Sequence, residues 1–303
     1  MILHTTRRKT QHQEPSLQDP LLKVALVLLL LVSVAGTANA QYVPPPPPPP
    51  PTAEQTAPPP PPPGPLLGPK QLDKLVERIA LYPDPLLAQI LTASTYWNEI
   101  PEAAAWANQH NYLKGDALAQ AIQADNLQWD PSVLALLPFP SVLNMMAADM
   151  AWTEQLGTAV LKQRPDVMDA VQRMRKKAYD FGYLRSNPYD VVVNTSGYIE
   201  IQPVNPAYIY VPAYNPAIVF APPSPGFVIS GAIHFGPAIV VGAAFAPWGW
   251  AHPGFLWGAH AIIIDRAPWD RFWFNRGVYV HPYVHPWVRA PGIRVERHVF
   301  PHR

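Results

Sequence analysis

The sequence predicts an α+β protein, in which a mainly α-helical repeat domain is followed by a small antiparallel β region. A disordered proline-rich segment is expected on the amino-terminal side of this body, and a low-complexity segment on the carboxy-terminal side. Apolar residues at helical spacing over about 70–183 predict the helices. Short apolar runs broken by proline over 184–222 predict the strands, and clustered prolines over 41–69 predict a segment that buries no core.

Residues 1–40 have the pattern of a secretory signal peptide. Basic residues at 7–9 precede the apolar run Val24–Gly36, and the small residues Ala38 and Ala40 predict cleavage after Ala40. An uncleaved membrane anchor is the alternative, but a span needs about 20 apolar residues and Lys23 stops the run on its amino side. We therefore expect an exported protein of the periplasm or outer cell envelope.

Export changes the charge balance of the chain. The whole sequence has a formal net charge of +1, and residues 1–40 hold four basic and two acidic residues, so cleavage leaves −1. No strong positive field remains, and we expect no nucleic-acid partner. The sequence has no cysteine, which excludes disulfides, thiolate metal sites and a lipidated cysteine. We expect no cofactor.

Residues 41–69 form a proline-rich linker that we expect to be disordered. The blocks Pro44–Pro51 and Pro58–Pro63 favour extended polyproline II, which rises about 3.1 Å per residue. In one interpretation the linker is a spacer or a ligand for an aromatic groove. In the other it has no partner.

A helical domain is predicted over residues 70–183. Apolar residues recur every three or four positions over 72–79, and Tyr82-Pro83 should end this helix because the residue before proline is disfavoured in the α conformation. Asp84-Pro85 should begin the next helix, with the aspartate as its cap. Further helices are predicted over Gly115–Asp125, from Asp130-Pro131, and from Arg164-Pro165-Asp166 to a stop at Gly182.

We interpret two segments of the helical domain as copies of one repeat. Residues 80–91 align without a gap with residues 135–146, and the same register aligns Trp97 with Trp152. Both copies hold a Pro-x-Pro corner, which favours helix–corner–helix units that stack as a small array. Chance similarity in an alanine- and leucine-rich chain is the alternative.

The β region, 184–222, is predicted to be a small antiparallel meander. Asparagine–proline pairs mark turns between β-type runs. The candidate strands are residues 190–194, 198–203, 207–212 and 217–222.

Residues 223–264 make up an uncharged segment rich in glycine, alanine and tryptophan. No Asp, Glu, Lys or Arg occurs from Ile201 to Ile264. Residues 226–246 could enter a membrane or form a buried β hairpin, although Pro237 disfavours a true span. Weak insertion at a membrane interface through the neighbouring tryptophans is a third interpretation. These tryptophans are Trp248, Trp250 and Trp257.

Residues 265–303 form a tail rich in arginine, histidine and aromatic residues. Arginines alternate with rings from Arg266 to Arg276, and arginine both stacks on rings and binds anions in bidentate fashion. One interpretation is that the tail binds anionic envelope polymers or lipid head groups, which would give peripheral membrane association. A low-complexity tail without a partner is the alternative.

Two histidine pairs in the tail have the four-residue spacing that zinc sites use on helices, His281 with His285 and His298 with His302. Prolines beside each pair prevent a helix, and no carboxylate cluster completes a ligand set. Metal binding therefore stays open, with no site assigned.

Four carboxylates accompany the repeat, and no residue is assigned a catalytic role. Asp84, Glu99, Asp149 and Glu154 could serve glycoside hydrolysis if two of them faced one cleft. The sequence has no Gly-x-Ser-x-Gly, no His-Glu-x-x-His and no phosphate loop. The basic residues within 173–177, at the end of a predicted helix, are interpreted as a solvated face that suits the helix dipole.

Four long words occur in order between Leu72 and about Phe220: IALYPDPLLAQIL, WDPSVLALLPFPSVLNMMAADMAWTEQLG, RPDVMDAVQRMR and PAYIYVPAYNPAIVF. They resemble the bacterial envelope family of unknown function DUF3300. The resemblance implies export in Gram-negative bacteria, and it implies no activity, cofactor or catalytic residue. The tail departs from the family pattern, where asparagine-rich low complexity is expected.

We expect a non-enzymatic binding or assembly module at the cell wall or membrane surface. The alternative is a wall-directed hydrolase that uses the repeat carboxylates. Convergence of two of these carboxylates within about 5–10 Å would favour the hydrolase.

Overall fold

The computed structural model describes residues 64–223 and 231–281 of the 303-residue chain. The predicted signal peptide, residues 41–63 of the proline-rich linker, and His285, His298 and His302 lie outside the described residues. Helices occupy the first part of the described chain and small antiparallel sheets the second, which confirms the predicted α+β class.

Within the described residues, seven α-helices precede the first strand. They are α1 (Pro69–Val76), α2 (Asp84–Ala93), α3 (Ile100–Gln109), α4 (Gly115–Ala124), α5 (Pro131–Leu134), α6 (Pro140–Ala148) and α7 (Met150–Asp180), with a 3-10 helix (Ser94–Glu99) between α2 and α3. Proline occupies the first turn of α1, α2, α3, α5 and α6. Its missing N–H costs nothing there, because the first N–H groups of a helix have no acceptor within it.

Two helix boundaries differ from the prediction. Helix α1 ends at Val76 rather than Tyr82, and turns follow, although Ile79 stays buried. Helix α7 passes through Pro165, where the sequence predicts a separate helix, and breaks at Gln163 (φ −145°, ψ 46°). Proline removes one helical hydrogen bond and clashes with the preceding turn, so the backbone bends just before it.

The two segments interpreted as a repeat begin helices in the same way and then diverge. Each passes through turns to a Pro-x-Pro corner, which leads into α2 or α6. Beyond the corner, Trp97 lies in the 3-10 helix, whereas Trp152 lies in the first turn of α7. The repeat therefore stays a prediction.

The predicted β meander is instead a set of separate small sheets. Strands β1 (Asp190–Thr195) and β2 (Tyr198–Pro203) form the predicted hairpin. The other pairs are β3 (Tyr208–Ile209) with β6 (Ile239–Val240), β4 (Pro212–Tyr214) with β5 (Ile233–Phe235), and the sheet of β7 (Gly254–Leu256), β8 (Ala261–Ile264) and β9 (Ala267–Pro268). Strands β5 and β6, which pair with β4 and β3, lie after residues 224–230, so these two pairings join segments that are distant in the chain.

The predicted strand at 217–222 is wrong. Residues Pro216–Val219 form a helical turn, α8, whose cap is Asn215. The side-chain oxygen of Asn215 accepts a hydrogen bond from the Ala217 N–H at 3.0 Å. An asparagine cap followed by proline favours helix locally, and this outweighs the β propensity of the apolar residues that follow.

The hydrophobic core joins the helices to the uncharged segment. Trp248, Trp250 and Trp257 are buried in the same cluster as the apolar faces of α1 to α7. The indole N–H of Trp250 donates to the carbonyl oxygen of Ala135 at 2.9 Å. Insertion of these three rings into a membrane interface is therefore a wrong interpretation. No helix within the described ranges is both long enough and apolar enough to cross a bilayer.

Candidate functional site

A buried ion pair links the start of α2 to α7. Arg175 is 0% exposed and Asp84 is 1% exposed, and Arg175 Nη1 lies 2.6 Å from Asp84 Oδ1. The guanidinium also donates to the carbonyl oxygens of Ala80, Tyr82 and Ile199. Every guanidinium nitrogen thus has an acceptor, which is the condition under which a buried charge pair is tolerated.

The carboxylate of Asp84 gathers donors from the β region. Trp257 Nε1 donates to Oδ2 at 3.1 Å, Gln202 Nε2 donates to Oδ2 at 3.3 Å, and the Ile201 N–H donates to Oδ1 at 3.4 Å. The predicted capping role of Asp84 is wrong, because its side chain makes no cap to α2. The solvated-face interpretation is likewise wrong for Arg175. The Asp84–Arg175 pair thus connects α2, α7 and the β region, and we call it the structural junction.

The remaining basic residues near the end of α7 lie at the surface in ion pairs. Arg173 lies 2.7 Å and Lys177 3.3 Å from the carboxylate of Asp73, and Lys176 lies 3.0 Å from Asp180. Their side chains remain partly exposed. For them the solvated-face interpretation fits.

A second polar cluster lies where the 3-10 helix, the start of α5 and His281 meet. The Tyr96 hydroxyl lies 2.6 Å from His281 Nε2, although 185 residues separate the two in sequence. His281 Nε2 also contacts the carboxylate of Asp130. The Asp130 N–H donates to Glu99 Oε2 at 2.7 Å, and burial raises the pKa of Glu99 to about 8.

Arg271 covers this cluster from the carboxy-terminal segment. Its guanidinium lies 3.6 Å from the centre of the Tyr96 ring, and Nη1 donates to Thr95 Oγ1 at 3.2 Å. Two carboxyl groups, an imidazole and a phenol are groups that general acid–base catalysis uses. Here they hold residues 271–281 against the helices, and they line none of the three cavities described below.

The four carboxylates of the repeat lie in four different surroundings. Asp84 binds Arg175. Asp149 caps α7 through the Trp152 N–H and lies 2.9 Å from Arg78 Nη1. Glu99 belongs to the polar cluster at His281, and Glu154 is exposed. No two of them share a hydrogen-bond partner, an ion-pair partner or one of the described cavities. The structure thus brings Asp130 to Glu99, a pairing that the sequence pattern did not indicate.

Three of the cavities on the described part of the chain are large enough for a small ligand. A groove of about 780 Å³ is lined mainly by proline and apolar residues together with Tyr82 and Tyr214, and Lys114 also lines it. A cavity of about 530 Å³ lies beside the β1–β2 hairpin and contains Asp190. A third, of about 360 Å³, lies along α7 and contains Glu154.

The part of the arginine-, histidine- and aromatic-rich tail that the structure describes, residues 265–281, packs against the helices. Trp269 is fully buried, and its carbonyl oxygen accepts a hydrogen bond from Arg164 Nη1 at 2.7 Å. The Trp273 N–H donates to the Leu161 carbonyl oxygen at 3.0 Å. Arginine does stack on rings, as the sequence pattern indicates, but the partners lie within the chain.

One short stretch of this segment presents apolar side chains to solvent. We name Phe274, Val278 and Val280 the apolar loop, and their exposed fractions are 80%, 76% and 80%. Cations lie beside it, because Lys162 Nζ and the Arg276 guanidinium are 4.3 Å and 3.9 Å from the centre of the Trp273 ring. Apolar tips next to cations are typical of surfaces that enter a lipid head-group region.

No group of three or more histidine, aspartate or glutamate side chains could hold a metal ion within residues 64–223 and 231–281. His281 lies in the polar cluster described above, and its predicted partner His285 lies outside the described residues. The second pair, His298 with His302, also lies outside them.

Comparisons with known proteins find relatives of unknown activity. A family model described as "Protein of unknown function (DUF3300)" matches residues 68–272. The "Uncharacterized protein YacH" of Escherichia coli K12 is 40% identical over 126 residues, which are 42% of this chain and 20% of that protein. The chain thus covers only a fifth of the length of this relative, and no solved structure matches.

Proposed function

Because the chain belongs to the DUF3300 family of unknown function, whose model covers most of it, we propose that it is an exported, non-enzymatic module of the cell envelope. Its surface of attachment is an anionic membrane. Residues 1–40 supply the export signal, and the apolar loop supplies the contact with lipid. The periplasm of a Gram-negative bacterium is the proposed location.

The observation that carries this proposal is the exposure of the apolar loop. Three apolar side chains from one stretch of seven residues, 274–280, lie about four-fifths in solvent. Exposed apolar groups clustered in this way mark interaction surfaces. Because Trp269 and Trp273, which precede the loop, are fixed to α7, insertion of the loop into lipid would lose less conformational entropy than insertion of a free segment.

Charge favours anionic lipid as the partner. Lys162 and Arg276 both lie over Trp273, and a basic side chain near an anionic leaflet contributes about 1 kcal/mol. Membrane binding should therefore weaken with salt and with loss of lipid charge.

Vesicle co-sedimentation tests the proposal. The purified protein should bind phosphatidylglycerol vesicles more strongly than phosphatidylcholine vesicles. The triple variant Phe274→Ser, Val278→Ser, Val280→Ser should lose about tenfold or more in affinity, because its apolar contact with lipid is removed. A matched control, Val191→Ser with Val193→Ser, changes side chains that are 43% and 41% exposed on β1 and should bind as the unaltered protein does. Equal binding by the triple variant, or no binding by the unaltered protein, would contradict the proposal.

The alternative, a wall-directed hydrolase that uses the repeat carboxylates, finds little support. Hydrolysis requires two carboxyl groups facing one cleft. Asp84 is committed to Arg175 and Asp149 to Arg78. A binding role therefore fits the described residues better than hydrolysis does.

A further inference from the structure

The cavity of about 530 Å³ lies beside the β1–β2 hairpin and has mainly apolar walls. The end of α7 is followed by Tyr183 and Leu184, which form one wall, while Ile201, Ile233 and Phe235 supply others. Cavities of this size and character are typical of sites for small ligands, in which a few polar groups fix the orientation.

One of these polar groups is the buried carboxylate of Asp190, to which no residue within 64–223 and 231–281 donates a hydrogen bond. Asp190 is 2% exposed, its Oδ1 accepts no hydrogen bond, and the structure gives its carboxylate no donor among the described residues. Burial raises the pKa of this group to about 7. Buried polar groups are nearly always hydrogen-bonded, since an unpaired one costs about 1–3 kcal/mol, so this exception requires an explanation.

Hydrogen bonds hold the backbone of Asp190 at the edge of the cavity. The side-chain oxygen of Asn187 accepts a hydrogen bond from the Asp190 N–H at 3.0 Å. The Asn187 N–H in turn donates to the Asp190 carbonyl oxygen at 2.9 Å. Asp190 also begins strand β1, where it is paired with Pro203. The hairpin therefore fixes the position of the Asp190 backbone in the cavity wall.

Two cations and two carboxylates lie in this corner, but neither cation donates a hydrogen bond to Asp190. Arg175 and Asp84 are the charged groups that influence Asp190. Arg175 directs its donors to Asp84 and to backbone carbonyl oxygens, and it makes no hydrogen bond to Asp190. Arg185, a cation in the cavity wall, donates through Nη1 to the carbonyl oxygens of Tyr179 and Leu184. A cationic ligand with N–H donors would supply the hydrogen bonds that the Asp190 carboxylate lacks.

We propose that this cavity binds a primary ammonium group carried on an apolar stem, with Asp190 accepting its N–H donors. The stem lies against the apolar walls, and the ammonium group supplies the donors that the carboxylate lacks. A free alkylamine and the amino side chain of a peptide share this chemistry. The cavity contains no residue of the apolar loop, so ammonium binding and membrane binding are tested independently of each other.

Calorimetric titration of the purified protein with pentylammonium tests the site, with pentanol as the uncharged analogue. The unaltered protein should bind pentylammonium and should bind pentanol at least about tenfold more weakly, because a hydrogen bond to a charged group contributes about 1.5–3 kcal/mol. Asp190→Asn should weaken pentylammonium binding to a similar extent. Asp180→Asn, an exposed aspartate on α7, should leave it unchanged.

A cavity-filling variant and a comparison of two amines extend the test. Val192→Phe fills the cavity from strand β1 while leaving Asp190 in place, and it should also abolish binding. Comparison of 1,5-diaminopentane with Nα-acetyl-lysine methylamide shows whether a free amine or a peptide side chain is preferred, and preference for either supports the shared chemistry. The proposal is overturned if the unaltered protein fails to bind pentylammonium, binds pentanol equally, or binds no better than Asp190→Asn.

Discussion

Glu99 gives the stability of this protein a pH dependence opposite to that of an ion-paired surface carboxylate. Burial raises its pKa to about 8 from an ordinary value of 4.5. Between these pH values the folded state holds a proton that the unfolded state releases. The free energy of unfolding must therefore fall as the pH rises from about 4.5 to about 8.

The variant Glu99→Gln tests this dependence. The amide cannot ionise, so the part of the pH slope that comes from Glu99 should disappear, as measured by urea unfolding at several pH values. Asp190, whose pKa is raised to about 7, contributes slope of the same sign and should continue to do so. Glu102→Gln, an exposed neighbour, is the control. Parallel pH curves for Glu99→Gln and the unaltered protein would show that Glu99 does not hold the proton.

Among the basic residues within 173–177, loss of the Arg175 side chain should lower the free energy of unfolding most. Arg175→Met leaves the buried Asp84 carboxylate and three carbonyl oxygens without their donor, which should cost about 3–5 kcal/mol of unfolding free energy. Arg173→Met breaks a partly exposed pair with Asp73 and should cost about 1 kcal/mol or less. Urea unfolding measures both, and similar losses for the two variants would contradict the junction.

Single residues also show where sequence reasoning ends. The pattern of Asp130-Pro131 predicts a capped helix start, and the Asp130 carboxylate does accept a hydrogen bond from the Ser132 N–H. The same pattern suggests a cap at Asp84, but a guanidinium from α7 takes that carboxylate. A local motif specifies a local hydrogen bond only when no stronger distant partner reaches it. Asp190 and Tyr96 carry no sequence signal, because their importance comes from burial.

At the scale of elements, α7 packs closely on the 3-10 helix through Gly157. A Cβ at this position would overlap the carbonyl oxygen of Ser94, which is backbone and cannot move aside cheaply. Alanine normally stabilises a helix relative to glycine by about 1 kcal/mol. Here Gly157→Ala should instead destabilise by about 1–3 kcal/mol because the contact is overpacked.

Thermal or urea unfolding checks the Gly157 prediction. Gly254→Ala is a suitable control, since a Cβ there meets nothing within 4 Å. If Gly157→Ala proved as stable as the control, the close packing of α7 on the 3-10 helix would be wrong.

Most helices and the β1–β2 pairing could be predicted from sequence, whereas the pairings of β3 and β4 could not. Periodicity and proline corners depend on neighbours in the chain, so α2, α4 and the end of α7 near Gly182 lie where expected. Strands β3 and β4 pair with β6 and β5, across residues that no local pattern connects. A long run without charge fits a protein core as well as a membrane, so the sequence alone does not decide between burial and membrane insertion for Trp248, Trp250 and Trp257.

At the scale of the whole molecule, export is the premise of the proposed function. Cleavage after Ala40 should leave Gln41 as the first residue of the mature chain, because Ala38 and Ala40 are the small residues that signal peptidases require. Mass spectrometry of the protein from a periplasmic fraction measures this. Ala38→Arg should block processing, whereas Ala35→Ser, farther from the cleavage site, should not. Recovery of the unprocessed chain in the cytoplasm would contradict export.

The absence of cysteine from the sequence permits a direct test of the central claim, that the apolar loop enters an anionic membrane. A single cysteine introduced as Phe274→Cys can carry an environment-sensitive fluorophore, and Val193→Cys on strand β1 provides the matched control. On addition of phosphatidylglycerol vesicles, the label at position 274 should shift to the blue and be quenched by brominated lipid, while the label at position 193 should not change. No change at position 274, or the same change at both positions, would contradict the account.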